Sequence, residues 1–273
     1  MKIFLLFFFF LFWQVVGQRQ APVVLIHGIL SSAEELSEAK EWFAKELSIE
    51  IYSIEIGNGR IDSFQKPMHE QLELLTYSIN SFRRLREEKF HLIGFSQGGL
   101  LARAFAENCK EKRVITLLTF GTPHMGVFFY SDLNIYSRQA QSQVSFAGYW
   151  KDPFHYDLYL HNCSFLPFVN GEITTDMTLY NKVSTFAMVW SPFDEVIRPW
   201  QSGRYEFYYQ NSIVIVPFLS SETYQKNHVG IRSLYRENRL QFIETDCAHK
   251  DFKSRACLEK YKMKILPLLR QEE

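Results

Sequence analysis

The sequence predicts an α/β domain built on a mostly parallel sheet with helices on both faces, and three observations carry that expectation. Short apolar runs alternate with longer amphipathic segments along the chain. The apolar runs are near-continuous in Val, Ile, Leu and Phe, as strands buried on both faces require. One of them ends in a tight Gly-x-Ser-x-Gly turn that opens at once into a helical segment. At 273 residues the chain can bury a sizeable core as a single domain.

The elements follow in order. Residues 1–17, MKIFLLFFFFLFWQVVG, place one lysine before an apolar run from Ile3 to Trp13. This is the order of a secretory signal peptide cut near Gly17, and the run is too short for the roughly 20 residues of a membrane span. The chain is therefore expected to enter an oxidising compartment with no transmembrane segment. APVVLIHG, from Ala21, reads as a buried strand and turn, and Ser32 to Glu46 as an amphipathic helix. IEIYSIEIG is a second strand, and Pro67 to Leu85 carries apolar residues at helical spacing. KFHLIGF, GGLLARAFAENC and VITLLTFG read as strand, helix and strand. From His124 to Asn181 the alternation stops and the chain becomes irregular and aromatic, which reads as an insertion of residues 124–181 capping the sheet edge. KVSTFAMVW and RLQFIETD resume the strands before a terminal helix around Leu258 to Leu269.

The chemistry is concentrated at Gly94-Phe95-Ser96-Gln97-Gly98-Gly99, between the strand KFHLI and the helix GGLLARAF. A strand, sharp turn and helix in this order is the setting of a nucleophile elbow, which marks the α/β-hydrolase fold. A serine hydroxyl needs a base to take its proton and a carboxylate to orient that base. In this fold the partners follow as acid and then histidine. His249 lies just beyond the last strand, where the histidine loop belongs; His228 is its rival in a polar loop. Asp194 follows KVSTFAMVW in the loop WSPFDEVIRP, with Glu195 beside it as the alternative acid, while Asp246 reads as structural. Two backbone N–H groups should form an oxyanion hole: that of Gln97, after the nucleophile, and that of Ile29, in the turn after the first strand. His27, in that same turn, reads as a residue that organises the loop.

Thirty acidic and thirty basic side chains balance, so no strong field draws the chain to nucleic acid. Cys247 and Cys257 flank His249 and are expected to pair; Cys109 and Cys163 pair or stay free. No C-x-x-C spacing supports a zinc site. Asn162-Cys163-Ser164 satisfies the N-glycosylation sequon.

Several segments together resemble the palmitoyl-protein thioesterases, more closely their lysosomal-thioesterase branch. They are VVLIHGI, HLIGFSQGGLLARAF, the strand leading into GTPHMGV, YWKDPFHYDLYLHNCSFLPFVNGE and DEVIRPWQSGRYEFY. The resemblance maps Ser96, Asp194 and His249 onto the family triad. It implies hydrolysis of long-chain acyl thioesters, such as palmitoyl-CoA or S-acylated cysteine compounds, in lysosomes and without a cofactor. Acyl specificity is expected in the insertion, where Tyr149, Trp150, Phe154, Tyr156, Phe165, Leu166 and Phe168 offer an apolar groove. Two rival readings remain. One is a secreted lipase or carboxylesterase acting on oxygen esters. The other is a non-catalytic lipid-binding protein on a hydrolase fold, which the presence of all three triad candidates disfavours.

Overall fold

The computed structural model describes residues 20–111, 113–173 and 178–271. The segment read as a signal peptide, residues 1–17, lies outside the described residues. Eight strands occur among the described residues: β1 (Val23–Ile26), β2 (Ile51–Ile54), β3 (Phe90–Phe95), β4 (Val114–Phe120), β5 (Val183–Trp190), β6 (Phe207–Tyr208), β7 (Ile215–Val216) and β8 (Leu240–Glu244). Six of them form one parallel sheet in the order β2-β1-β3-β4-β5-β8. β6 and β7 pair as a two-residue antiparallel ribbon that the sequence pattern does not announce.

The period-two alternation of the strands divides the core into two layers. Val24, Ile26, Leu92, Leu117, Phe186 and Met188 face one way, into a cluster shared with the insertion. Val23, Leu25, Ile93, Leu118, Ala187 and Val189 face the other. The first layer is covered by α3 (Met68–Ser81) and α5 (Gln97–Asn108), the second by α1 (Ser37–Leu47) and by the C-terminal helix Arg255–Ile265. Each fully buried aliphatic or Phe side chain contributes about 1.5–3 kcal/mol, so the strand runs dominate the stability of the sheet.

Between α1 and α3 lies the short α2 (Arg60–Gln65). The helix expected over 67–85 is broken: α3 stops at Ser81 and α4 (Arg83–Glu87) begins after Phe82, which takes extended backbone angles. The break lets the Phe82 ring pack edge-on to Tyr52 of β2, 4.9 Å between centroids.

Among its described residues the insertion holds short α-helices, α6 (Arg138–Gln143), α7 (Tyr156–Asn162) and α8 (Leu166–Val169). Three of the polar groups buried within it satisfy one another. Lys151 pairs with Glu172 at 2.5 Å, and Tyr159 donates its hydroxyl to the same carboxylate. Arg103, fully buried on α5, donates to Asn170 Oδ1 at 2.6 Å and to the Tyr205 hydroxyl. A buried charge of this kind requires such partners. Two more short helices, α9 (Glu222–Gln225) and α10 (Ile231–Arg236), lead into β8, and the C-terminal helix is α11. No helix among the described residues is long and apolar enough to cross a membrane.

Candidate active site

Ser96 is the residue at which β3 turns into α5. Its backbone is held at φ 54° and ψ −127°, a conformation non-glycine residues rarely adopt and one that projects the side chain from the turn. The neighbouring glycines permit it. A Cβ on Gly94 would lie 2.4 Å from the Gly99 Cα, and one on Gly98 would lie 2.3 Å from the His27 carbonyl oxygen. Backbone atoms cannot swing aside, so strand, turn and helix close up only because both positions lack a side chain.

His249 reaches the same point from the loop after β8. Its Nε2 lies 2.9 Å from Ser96 Oγ, and its Nδ1 lies 2.8 Å from Asp194 Oδ2. Asp194 comes from the loop after β5 and is buried; its Oδ1 accepts the N–H groups of Val196 at 3.0 Å and Ile197 at 2.9 Å. These bonds leave Oδ2 aimed at the imidazole. With the Nδ1 proton donated to Asp194, Nε2 is free to accept the serine proton. Glu195, the alternative acid, does not approach the ring: its Oε2 accepts the backbone N–H of His249 at 2.9 Å. His228, the rival base, starts a 3-10 turn outside this constellation. Asp246 instead binds the Tyr261 hydroxyl at 2.7 Å and the Lys260 ammonium.

The turn after β1 passes directly over Ser96. A Cβ on Gly28 would lie 3.0 Å from Ser96 Cβ, which brings the Gly28–Ile29 peptide alongside Oγ. The Gln97 N–H opens α5 and, like every first-turn N–H, has no acceptor within its helix. His27 is fully buried and ties the turn to its surroundings. Its Nδ1 lies 3.0 Å from the Gly28 carbonyl oxygen, and its Nε2 meets both the Ile56 N–H at 3.2 Å and Glu55 at 2.8 Å. Burial draws its pKa below the usual imidazole value, against the raising effects of the Gly28 carbonyl and Glu55.

The Gln97 side chain was not singled out by sequence reasoning. Its Nε2 donates to the Ser63 carbonyl at 2.8 Å and to Gln71 Oε1 at 3.0 Å, and its Oε1 accepts the Tyr149 hydroxyl at 2.9 Å. All of this is buried, and only a polar residue directly after Ser96 hinted at it.

A cavity of about 250 Å³ opens beside Ser96 and His249. Its apolar walls include Leu36, Phe95, Phe120, Val196 and Phe252, with Glu35, Lys250 and Lys253 at its polar side. None of the insertion's groove candidates lines it. Trp150 and Phe165 are 3% and 4% exposed and spent on packing, and Tyr149 and Leu166 are buried in the same cluster. Phe154 and Phe168 are exposed, and Tyr156 lines a separate cavity with Lys151 and Glu172. An insertion with short helices must use its aromatics to attach itself to α3 and α5, which keeps them from the cavity beside Ser96.

The histidine loop is stapled: Cys247 and Cys257 form a disulfide around His249. Cys109 and Cys163 are free thiols, and Asn162 of the sequon is exposed at the end of α7.

Parallel sheet order, helices on both faces and a Ser–His–Asp chain of hydrogen bonds at the carboxyl edge define an α/β-hydrolase. The monoacylglycerol lipase of Paleococcus ferrophilus has the same fold, with a TM-score of 0.54 at 12% identity over 92% of this chain and 95% of that one. A mature Bacillus licheniformis lipase gives 0.51 at 14%, covering 94% and 96%. Within that class the chain belongs to the palmitoyl protein thioesterase family, whose model matches residues 22–249. It is 33% identical to palmitoyl-protein thioesterase 3 of Dictyostelium discoideum, over 84% of this chain and 85% of the relative. It is 31% identical to a lysosomal thioesterase PPT2 homolog of Drosophila melanogaster, over 86% and 87%.

Proposed function

We propose that this chain hydrolyses long-chain fatty-acyl thioesters, of palmitoyl-CoA or S-palmitoyl type, through an acyl-enzyme on Ser96. The observation that carries the reading is the continuous hydrogen-bonded line from Ser96 Oγ through His249 to Asp194, at 2.9 and 2.8 Å, in a member of this family. His249 Nε2 takes the Ser96 proton as Oγ attacks the acyl carbonyl, and Asp194 stabilises the imidazolium that forms. The oxyanion settles on the N–H groups of Ile29 and Gln97, the latter at the positive end of α5. The imidazolium then returns its proton to the departing thiolate, and water activated by the same nitrogen hydrolyses the acyl-serine. No step calls on a metal or a cofactor.

The apolar cavity beside Ser96 receives the first part of the acyl chain. An engineered 150 Å³ cavity takes up benzene, so by proportion this space holds on the order of ten carbons. The rest of a palmitoyl chain leaves past Leu30 and Val196, both more than half exposed. The relatives named as lysosomal thioesterases, with the signal-like residues 1–17, support delivery through the secretory pathway to the lysosome.

The test is thiol release from palmitoyl-CoA by the purified protein and by Ser96→Ala, beside a long-chain p-nitrophenyl ester. Serine-dependent thioester turnover is expected. Turnover of the ester alone would make the protein an ester lipase, and turnover of neither would refute the enzymatic reading.

A further inference from the structure

The acid loop holds His249 at two places. Asp194 takes the ring Nδ1 at 2.8 Å, while the next residue, Glu195, takes the backbone N–H of the same histidine at 2.9 Å. The loop giving both carboxylates is itself fixed, because Asp194 Oδ1 accepts the N–H groups of Val196 and Ile197. A ring bond alone leaves a histidine free to pivot about its Nδ1···Oδ2 line. Such a pivot swings Nε2 away from the serine oxygen, and a displacement of about 1 Å at reacting atoms can cost a hundredfold in rate. An acceptor on the backbone N–H removes the pivot by fixing where the residue starts.

We propose that Glu195 is a positioning residue for the Ser96 reaction, anchoring the His249 backbone so that Nε2 stays within reach of Oγ. It touches neither substrate nor reacting atoms. The bond is charge-assisted, which suits a loop at the protein surface where water competes for each partner. Burial works to raise the Glu195 pKa, but the His249 N–H, its own N–H and the charges of His249 and Lys250 outweigh it. The carboxyl is held below its usual range, so the anchor stays ionised in an acidic compartment. The inference rests on Ser96 and His249 being the reacting pair.

Glu195→Ala and Glu195→Gln separate an anchor from an incidental contact. Two readouts are needed: kcat and KM on palmitoyl-CoA, and the rate at which a fluorophosphonate labels Ser96, which requires no thioester activity. In Glu195→Ala, kcat and the labelling rate should both fall about tenfold with KM unchanged. In Glu195→Gln the amide oxygen still accepts the N–H and should bring both within about twofold of wild type. Should Glu195→Ala not fold, Glu195→Asp withdraws the acceptor by one methylene while keeping the charge, and should show an intermediate loss. Wild-type rates in the alanine variant, equal losses in the alanine and glutamine variants, or a change in KM alone would each overturn the proposal. A wild-type protein that is labelled but turns over no thioester would defeat the proposed substrate and leave the labelling comparison to decide on Glu195. A Ser96 that resists labelling would overturn both.

Discussion

Asp194→Asn separates what the acid does for the imidazole from what it does for its own loop. Asp194 Oδ1 accepts two backbone N–H groups and Oδ2 faces His249 Nδ1. An asparagine can place its carbonyl oxygen where Oδ1 stood and keep both backbone bonds. Its NH2 then faces Nδ1 and must donate, so Nδ1 becomes an acceptor and the ring proton moves to Nε2. That nitrogen, 2.9 Å from Ser96 Oγ, can no longer take the serine proton. A triad that keeps its geometry in the wrong tautomer loses about 10⁴ in kcat, or roughly 5.5 kcal/mol at ~1.36 per decade. Folding should hardly change. Asp194→Ala removes the loop acceptor too, leaves the buried Ile197 N–H unpaired, and should cost about 2–4 kcal/mol of stability besides the activity. The assay is thiol release from palmitoyl-CoA with thermal unfolding of the same samples. An asparagine variant retaining more than about a tenth of wild-type kcat would refute the tautomer argument. Equal melting-point losses in the two variants would refute the division of labour between the oxygens.

Four further expectations follow from the geometry. In Gly98→Ala the new Cβ meets the His27 and Ile26 carbonyl oxygens at 2.3 and 2.5 Å, so α5 must shift from β1. About a hundredfold loss of kcat is expected, and near-normal turnover would count against the elbow packing. Replacing Cys247 and Cys257 by serine opens a link across a sequence separation of 10. It should cost about 2–3 kcal/mol in chemical denaturation and lower kcat through the His249 loop. Glu107 is pushed up to about 8 by burial, against the pull of Arg103, so the unfolded chain ionises it well before the folded one. Stability from this group is therefore lost as pH rises from the unfolded value towards 8. Glu107→Gln should match wild type near pH 5 and exceed it by about 3 kcal/mol near pH 8 in thermal unfolding. Tyr149→Phe leaves the buried Gln97 Oε1 without its donor. It should cost about 1–2 kcal/mol and lower kcat severalfold, measured on the same thioester.

The parts of the site legible in the sequence are those that local backbone geometry dictates. Gly94, Ser96 and Gly98 spell out a turn that few sequences tolerate, and the sheet order places whatever follows β5 and β8 beside it. Asp194 and His249 could therefore be located by counting strands. The broken helix at Phe82 was not legible, because helical spacing continues through it and the gain comes from Tyr52 on a distant strand. The two-residue strands β6 and β7 are too short for any period to register. Where the groove candidates would sit was not legible for a related reason. Aromatic content shows that apolar surface must be covered, but which element covers it depends on contacts far apart in sequence. Phe165 and Trp150 went inward, and the cavity at Ser96 drew its walls from Leu36, Phe120 and Phe252 on the other face of the sheet.

The insertion nonetheless reaches the chemistry, by a polar route. Tyr149 lies within the aromatic insertion and is buried in the layer shared with α3 and α5, yet its hydroxyl ends on the side chain of Gln97. Gln97 is held on its other side by Ser63 and Gln71, so three separate segments converge on one residue. That residue's backbone N–H is the proposed oxyanion donor, whose worth depends on being preorganised rather than moved into place. An unpaired group inside such a network is costly, so the segments hold one another in register. The insertion on this account acts on the reaction through the position of one peptide group. Changes among its aromatics should alter kcat only where they disturb Tyr149, while changes to Leu36 or Phe252 should alter which acyl chains are accepted.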